Sequence, residues 1–99
     1  MELLTIAKSK CYITTDEAEV MNRLQRIVDD AQVKISRLIG AKNIDFTQAG
    51  EERELFLNYV WYAWNDAENE FKTNYLDDIL ALRLKYEVEQ YADEEEVIL

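Results

Sequence analysis

Apolar residues recur at intervals of three and four along most of this chain, which is the spacing of one face of an α-helix. The clearest row consists of Val20, Leu24, Ile27, Val28, Ala31, Ile35 and Leu38. It predicts a helix over 16–39. Gly40 follows as a left-handed cap, and Thr14 with Glu17 fits a capping box at the start.

The same spacing predicts three further helices, over 2–11, 50–71 and 75–91. Segment 40–50 is predicted to be a loop in which Ile44 and Phe46 are anchors, while Asp45 or Thr47 caps the next helix. The predicted fold is therefore all-α, a small bundle of four helices forming a single domain over 1–99. An acidic run followed by three apolar residues ends the chain, and 92–99 is expected to be flexible or dependent on a partner.

Composition supports a helical protein. The chain has 99 residues, no proline and two glycines, which is too few turn residues for a small sandwich or barrel. No apolar run approaches the ~20 residues of a membrane span, and the start lacks a signal-peptide pattern. We therefore expect a soluble protein suited to a cytoplasm-like compartment.

The residues that are missing limit the possible chemistry. Histidine is absent, Cys11 is the one cysteine, and neither serine lies in a Gly-x-Ser-x-Gly motif. No glycine-rich phosphate loop is present. We therefore expect no catalytic residues, no metal site, no cofactor and no enzyme, and Cys11 to be a small buried hydrophobic residue. A metal-dependent carboxylate enzyme is a third, weaker alternative, with these candidates: Glu51, Glu52, Glu54, Asp77 and Asp78.

The formal net charge of −10 lies in one half of the chain. Residues 1–50 contain seven basic and seven acidic residues, whereas 51–99 contain four basic and fourteen acidic residues. Such a second half should repel phosphate, which disfavours a protein that grips DNA. A small acidic binding module, such as a DNA-mimicking inhibitor, remains the alternative function, although its carboxylates would be expected over the whole surface.

Aromatic residues are concentrated in the predicted helix 50–71, where the apolar arc exceeds half the circumference. Trp61 and Trp64 lie on one flank of that arc. They can belong to the core, or they can anchor an interface between subunits together with Tyr86 of the next helix.

Four arginines likewise can either serve the single subunit or contribute to an interface between subunits. Arg83 interrupts the apolar surface of the last helix, where it can reach water, pair with Glu87, or meet a carboxylate of another subunit. Arg23, Arg26 and Arg37 follow one side of helix 16–39. They can form a solvated face, or they can pair with the acidic half of a neighbouring copy in a closed ring.

Three segments of the sequence carry a family resemblance. They are FTQAGEERELFLNYVWYAWNDAENEF at 46–71, NYLDDILALR at 74–83 and YEV at 86–88. Together with a short helix, a Thr/Asp break and a long helix ending in Leu-Ile-Gly, they resemble the head–tail connector (adaptor) family of long-tailed bacteriophages and related prophages. The likeness covers nearly the whole chain and includes no catalytic signature.

The resemblance implies a structural virion protein at the head–tail interface, present in the host cytoplasm during assembly. Its partners would be the portal protein and a tail-side completion (stopper) protein. It would form a homo-oligomeric, dodecameric ring that extends the DNA exit channel, and the free subunit can be monomeric. By position, the fourth predicted helix and the tail would be candidates for docking on the portal.

A channel must let DNA slide, and an acidic lining would repel the backbone. We therefore expect these acidic residues to line the lumen of the channel: Glu51, Glu52, Glu54, Glu68 and Glu70.

Overall fold

The computed structural model describes the backbone of residues 2–98 and the side chains of residues 2–90. This part of the chain contains five α-helices and no strand, so the predicted all-α fold is confirmed. The helices are α1 (Leu3–Lys10), α2 (Ala18–Ile39), α3 (Glu51–Trp64), α4 (Glu68–Asn74) and α5 (Leu76–Ile98). None of the described helices has a stretch long and apolar enough to cross a bilayer.

Helix α2 lies at the centre of the bundle and packs against α1, α3 and α5. Its predicted apolar row is largely confirmed, since Leu24, Val28, Ala31 and Ile35 are buried. The end of α2 is also as predicted. Gly40 has φ 69° and ψ 33°, and the next amide, that of Ala41, donates to the carbonyl of Ser36 at 3.1 Å.

The start of α2 differs from the prediction. The helix begins at Ala18, two residues later than expected, and Glu17 in the N-cap position makes no side-chain capping bond. The predicted capping box of Thr14 and Glu17 is therefore wrong. Instead, the hydroxyl of Thr15 accepts a hydrogen bond from the Glu17 amide at 3.1 Å, which closes a tight local turn ahead of the helix.

The predicted helix 50–71 is broken into α3 and α4. Asp66 adopts the left-handed conformation with φ 56°, and its amide donates to the carbonyl of Ala63 at 3.1 Å. The Ala67 amide donates to the carbonyl of Tyr62 at 2.8 Å. These two bonds form a Schellman cap, which ends α3 at Trp64 without a glycine. The continuous helix was the wrong prediction here because apolar spacing persists across the break.

The loop between α2 and α3 is anchored as predicted. Phe46 is buried and stacks on Phe56 of α3 with ring centroids 4.8 Å apart, while Ile44 packs against the core. The expectation that Asp45 or Thr47 caps the next helix is wrong. Asp45 accepts the Thr47 amide at 3.0 Å within the loop, and α3 begins only after Gly50.

Helix α5 starts at Leu76, one residue later than predicted, and Tyr75 alone separates it from the end of α4. Ile79 and Leu82 are buried and attach it to the rest of the bundle, where it packs against α2, α3 and α4. Its backbone stays helical to Ile98 rather than ending at 91. The side chains of 91–99 lie outside the described part, so the expected flexibility of 92–99 stays a prediction.

Candidate assembly surface

Helix α5 presents two apolar faces. One packs on the core through Ile79 and Leu82. The other consists of Leu76, Leu80, Leu84 and Val88, which are 43%, 46%, 61% and 59% exposed. We call these four residues the α5 ridge. At 100° per residue Leu80, Leu84 and Val88 lie on the side of α5 away from the buried side chains, and Leu76 lies at the margin between the two faces. The described chain leaves about half of each ridge side chain uncovered.

The sequence placed part of the ridge in the wrong environment. Apolar spacing alone predicts one broad apolar surface on the last helix, made of Leu76, Ile79, Leu80, Leu84 and Tyr86. In the structure Ile79 is buried and Tyr86 packs against the core, whereas the three leucines are exposed. The signal that could have separated them is the strict spacing of four, because residues at i, i+4 and i+8 form a row of their own.

Trp61 lies at the edge of the aromatic block and is 40% exposed. It lines a cleft of 340 Å³ together with Tyr12, Tyr62 and Tyr75, and Tyr12 itself is 86% exposed. The neighbouring Tyr62 ring meets Trp61 edge-on at 5.5 Å between centroids. Trp61 therefore packs against Tyr62 on one side and is exposed to solvent on the other.

Trp64 and Arg23, two further candidates for an interface, contact each other. The Arg23 guanidinium lies 4.2 Å from the centroid of the Trp64 ring and donates from Nη2 to the Trp64 carbonyl at 2.9 Å. Arg23 also lies 3.5 Å from a carboxylate oxygen of Asp66. These contacts hold the end of α3 against α2, because the last carbonyls of a helix have no partner inside it. By contrast, Arg26 and Arg37 are exposed on α2.

Arg83 has a partner inside its own chain. Its Nε and Nη2 donate to the carbonyl oxygen of Leu38 at 3.1 and 2.7 Å. Among the described residues, Glu87 does not pair with Arg83, and the contact with the Leu38 carbonyl takes its place. A carboxylate of another subunit as a further partner of Arg83 stays a prediction. The physical reason is the position of α5 beside the end of α2, where free carbonyls carry partial negative charge.

Tyr86 is half-buried, and its hydroxyl donates to Oε2 of Glu52 at 3.0 Å. Burial, followed by the hydrogen bond and the charge of Glu52, raises the pKa of Tyr86 to about 12. Lys85 lies on the other side of the same carboxylate, with Nζ 3.4 Å from Oε1. Tyr86 and Glu52 thus attach α5 to α3.

The five acidic residues assigned to a channel do not form one cluster. Three lie in the first turn of α3 and two in the first turn of α4. The 14 residues of α3 separate the two groups by about 20 Å. Glu52 is committed to Tyr86 and Lys85, whereas the other four are exposed: Glu51, Glu54, Glu68 and Glu70. Among the residues with described side chains, no three His, Cys, Asp or Glu converge as metal ligands.

Cys11 is half-buried and packs against the core. Burial raises the pKa of its thiol from 9.0 to about 11, against the smaller opposing effects of the Lys10 and Arg23 charges. Its environment is thus that of a small apolar side chain, as expected from the sequence.

Comparison of the chain with models of protein families, with curated proteins and with solved structures gives no match. The resemblance to phage connectors therefore rests on the sequence features alone and remains a prediction.

Proposed function

We propose that this protein is a structural subunit of a phage or prophage particle, a head–tail connector that docks as a ring on the portal. In that role it extends the DNA exit channel and offers a platform to a tail-side completion protein. The role is carried by surfaces that bind proteins and needs no catalytic group, metal or cofactor.

The observation that supports this proposal is the α5 ridge. A helix that is apolar on opposite sides is typical of the interior of an assembly, because one face cannot be buried by a lone small bundle. Fully burying a Leu or Val side chain contributes ~1.5–3 kcal/mol. The ridge residues are about half exposed, so covering them would contribute ~1 kcal/mol each.

A second exposed apolar surface agrees with a subunit that has more than one neighbour. Trp61 and Tyr12 are exposed and line one cleft together with Lys10 of α1. Large aromatic side chains in such positions are frequent anchors of protein interfaces. The sequence resemblance to connectors adds the identity of the expected neighbours, the portal and the stopper.

The proposal is tested by mixing the purified protein with the purified portal ring of the same phage or prophage. Negative-stain electron microscopy should show an added ring of density on the portal. A double variant, Leu80→Gln with Leu84→Gln, should bind less, because both side chains belong to the ridge. Val33→Gln is the matched control, since Val33 is 53% exposed on α2 and lies outside the ridge.

Both variants should keep the circular dichroism spectrum of the unchanged protein, since the altered side chains face solvent. Absence of added density at saturating protein would overturn the connector proposal. Binding to a DNA-binding protein that DNA competes away would instead support the acidic mimic.

A further inference from the structure

We propose that the α5 ridge is covered by a helix of a different protein, one whose apolar row is flanked by lysine or arginine. This inference deepens the proposed assembly role and rests on the ridge being an assembly contact. It excludes a second copy of this chain as the molecule that covers the ridge.

The spacing of the ridge favours a helix as the occupant. Residues four apart form a continuous row inclined to the helix axis, and such a row packs between the equivalent rows of another helix. The preferred crossing angle of that arrangement is about −50°. From Leu76 to Val88 the row is about 18 Å long, which corresponds to about three turns of a partner helix.

The charges beside the ridge determine the kind of helix. Asp77 and Glu87 are exposed and lie within the angular range of the ridge, while Asp78 and Glu89 are exposed farther round the helix.

The two basic residues of α5 within 76–90 have partners within the chain. Arg83 binds the carbonyl of Leu38, and Lys85 lies beside the carboxylate of Glu52. The charges available to a partner on this part of α5 are therefore negative, and a basic flank complements them.

A second copy matches this surface poorly. Two α5 ridges in contact would bring Asp77 and Glu87 of both copies together, and like charges at an interface are unfavourable. Elsewhere in the described chain, the large exposed apolar side chains are Tyr12, Val33 and Trp61. Val33 is the one of these three that is flanked on its helix by exposed basic residues, Lys34 and Arg37, and it stands alone. Outside α5, the described residues of a second copy therefore offer no helical row of exposed apolar side chains with basic flanks for the ridge.

Synthetic helical peptides test the inference without the portal. The first peptide has leucine at every fourth position over about three turns, with lysine on both flanks. The second has glutamate in place of lysine, and the third has glutamine in place of leucine. Binding of fluorescein-labelled peptides to the full chain is measured by anisotropy at about 50 mM and about 300 mM salt, because screening weakens the charge contribution.

We expect the lysine peptide to bind at least about ten-fold more tightly than either of the others at low salt, a difference of ~1.4 kcal/mol. The double variant Leu80→Gln with Leu84→Gln should lose at least about ten-fold in affinity, whereas Val33→Gln should not. Asp77→Asn with Glu87→Gln should reduce the difference between the lysine and glutamate peptides.

Equal binding of the lysine and glutamate peptides, or no loss in the ridge variant, would overturn the inference. Sedimentation that shows a dimer removed by the ridge variant would overturn it as well, in favour of a second copy. A negative peptide result would leave the connector proposal standing, because the added ring of density on the portal tests that proposal separately. Conversely, peptide binding without portal binding would remove the connector role and leave the basic helix as the partner.

Discussion

Arg83 of α5 donates two hydrogen bonds to a single acceptor, the carbonyl oxygen of Leu38 near the end of α2, at 3.1 Å from Nε and 2.7 Å from Nη2. This contact satisfies a carbonyl that has no partner within its own helix and places a positive charge at the negative end of the helix dipole. It joins α2 and α5 through two residues that are 45 positions apart in the sequence. The arginine that interrupts the apolar surface of α5 is therefore part of what fixes α5 in the bundle.

Replacement of Arg83 by alanine should lower the free energy of unfolding by ~1–3 kcal/mol, because a charge-assisted pair of hydrogen bonds is lost. Arg83→Lys should have a smaller effect, since it retains the charge but not the two-point geometry. Urea unfolding followed by circular dichroism measures both. Arg26→Ala is the control, because Arg26 is exposed, and a loss as large in that variant would contradict the assigned role of Arg83.

Arg23 should also be structural. Arg23→Ala removes the contact with the Trp64 ring and the hydrogen bond to its carbonyl, and we expect a loss of ~1–2 kcal/mol. Tryptophan emission should shift to longer wavelength as Trp64 becomes more hydrated, and a Trp61→Phe background isolates that signal. Unchanged emission together with unchanged stability would show that the contact contributes nothing.

The contact between Arg23 and Trp64 affects how to test whether the basic residues of α2 pair with the acidic half of a neighbouring copy in a ring. Charge reversal at Arg23 would disturb the fold, whereas Arg26 and Arg37 are exposed and suit such a test.

The ends of the helices show which features the sequence could predict. Gly40 has φ 69°, and a glycine after an apolar row is a recognised stop signal. Tyr12 and Asp66 adopt the same left-handed conformation with φ 57° and 56°. Tyrosine is rare in this conformation, so the sequence gives no sign of it at Tyr12. Aspartate tolerates it better than most residues, but at Asp66 this weak signal lies within a continuing apolar row, and the row predicts an unbroken helix.

Contacts between distant segments explain the remaining differences. The spacing of apolar residues identifies a helix, but it does not show which of two apolar sides meets the core. The position of α5 beside α2 and α3 decides that Leu82 is buried and Leu84 is exposed. In the same way, the partners of Arg23 and Arg83 are backbone carbonyls of other helices, which no pattern of side chains reveals.

Tyr12 is an unusual residue for the left-handed conformation at the end of α1. Its amide donates to the carbonyl of Ser9 and the next amide, that of Ile13, donates to the carbonyl of Lys8, both at 3.1 Å. The left-handed conformation costs a residue with a Cβ atom ~1–2 kcal/mol. Glycine avoids this cost, but it loses more backbone entropy on folding, which offsets part of the gain. Tyr12→Gly should therefore raise the thermal midpoint and the stability by ~0.5–1 kcal/mol.

Tyr12→Ala is the matched control for this change. It removes the exposed ring but keeps the Cβ atom, so it should be no more stable than the unchanged protein. Equal stability of the glycine and alanine variants would show that strain at Tyr12 is negligible.

The thiol of Cys11 should react slowly in the native protein. At pH 8 its raised pKa, about 11 instead of 9.0, leaves little thiolate. Ellman's reagent should modify the native protein at least about ten-fold more slowly than the chain unfolded in urea. Comparable rates would contradict the burial of this side chain.

The same shift has a consequence for stability at alkaline pH. Between pH 9 and 11 the native state keeps a proton that the unfolded state has released, so stability should fall as the pH rises through this range. Tyr86, whose pKa is raised from 10.0 to about 12, should extend the fall to higher pH. In a series of urea midpoints, Cys11→Ala should flatten the first part of the decrease, and an equally steep decrease in that variant would assign it to other groups.

Neutralising the exposed acidic residues tests the channel assignment. In rings assembled on the portal, the combined changes Glu51→Gln, Glu54→Gln, Glu68→Gln and Glu70→Gln should increase nonspecific binding of DNA at low salt, because fewer carboxylates repel the phosphates. Glu52 is left unchanged, since it accepts the hydrogen bond of Tyr86 and its loss would disturb α5. The two pairs lie about 20 Å apart, so they should also be tested separately. Neutralising the pair that lines the lumen should raise DNA retention in gel-shift assays of the rings. The combined change Asp29→Asn and Asp30→Asn on α2 is the control. If neither pair differs from that control, the lumen must be formed by another surface of the subunit.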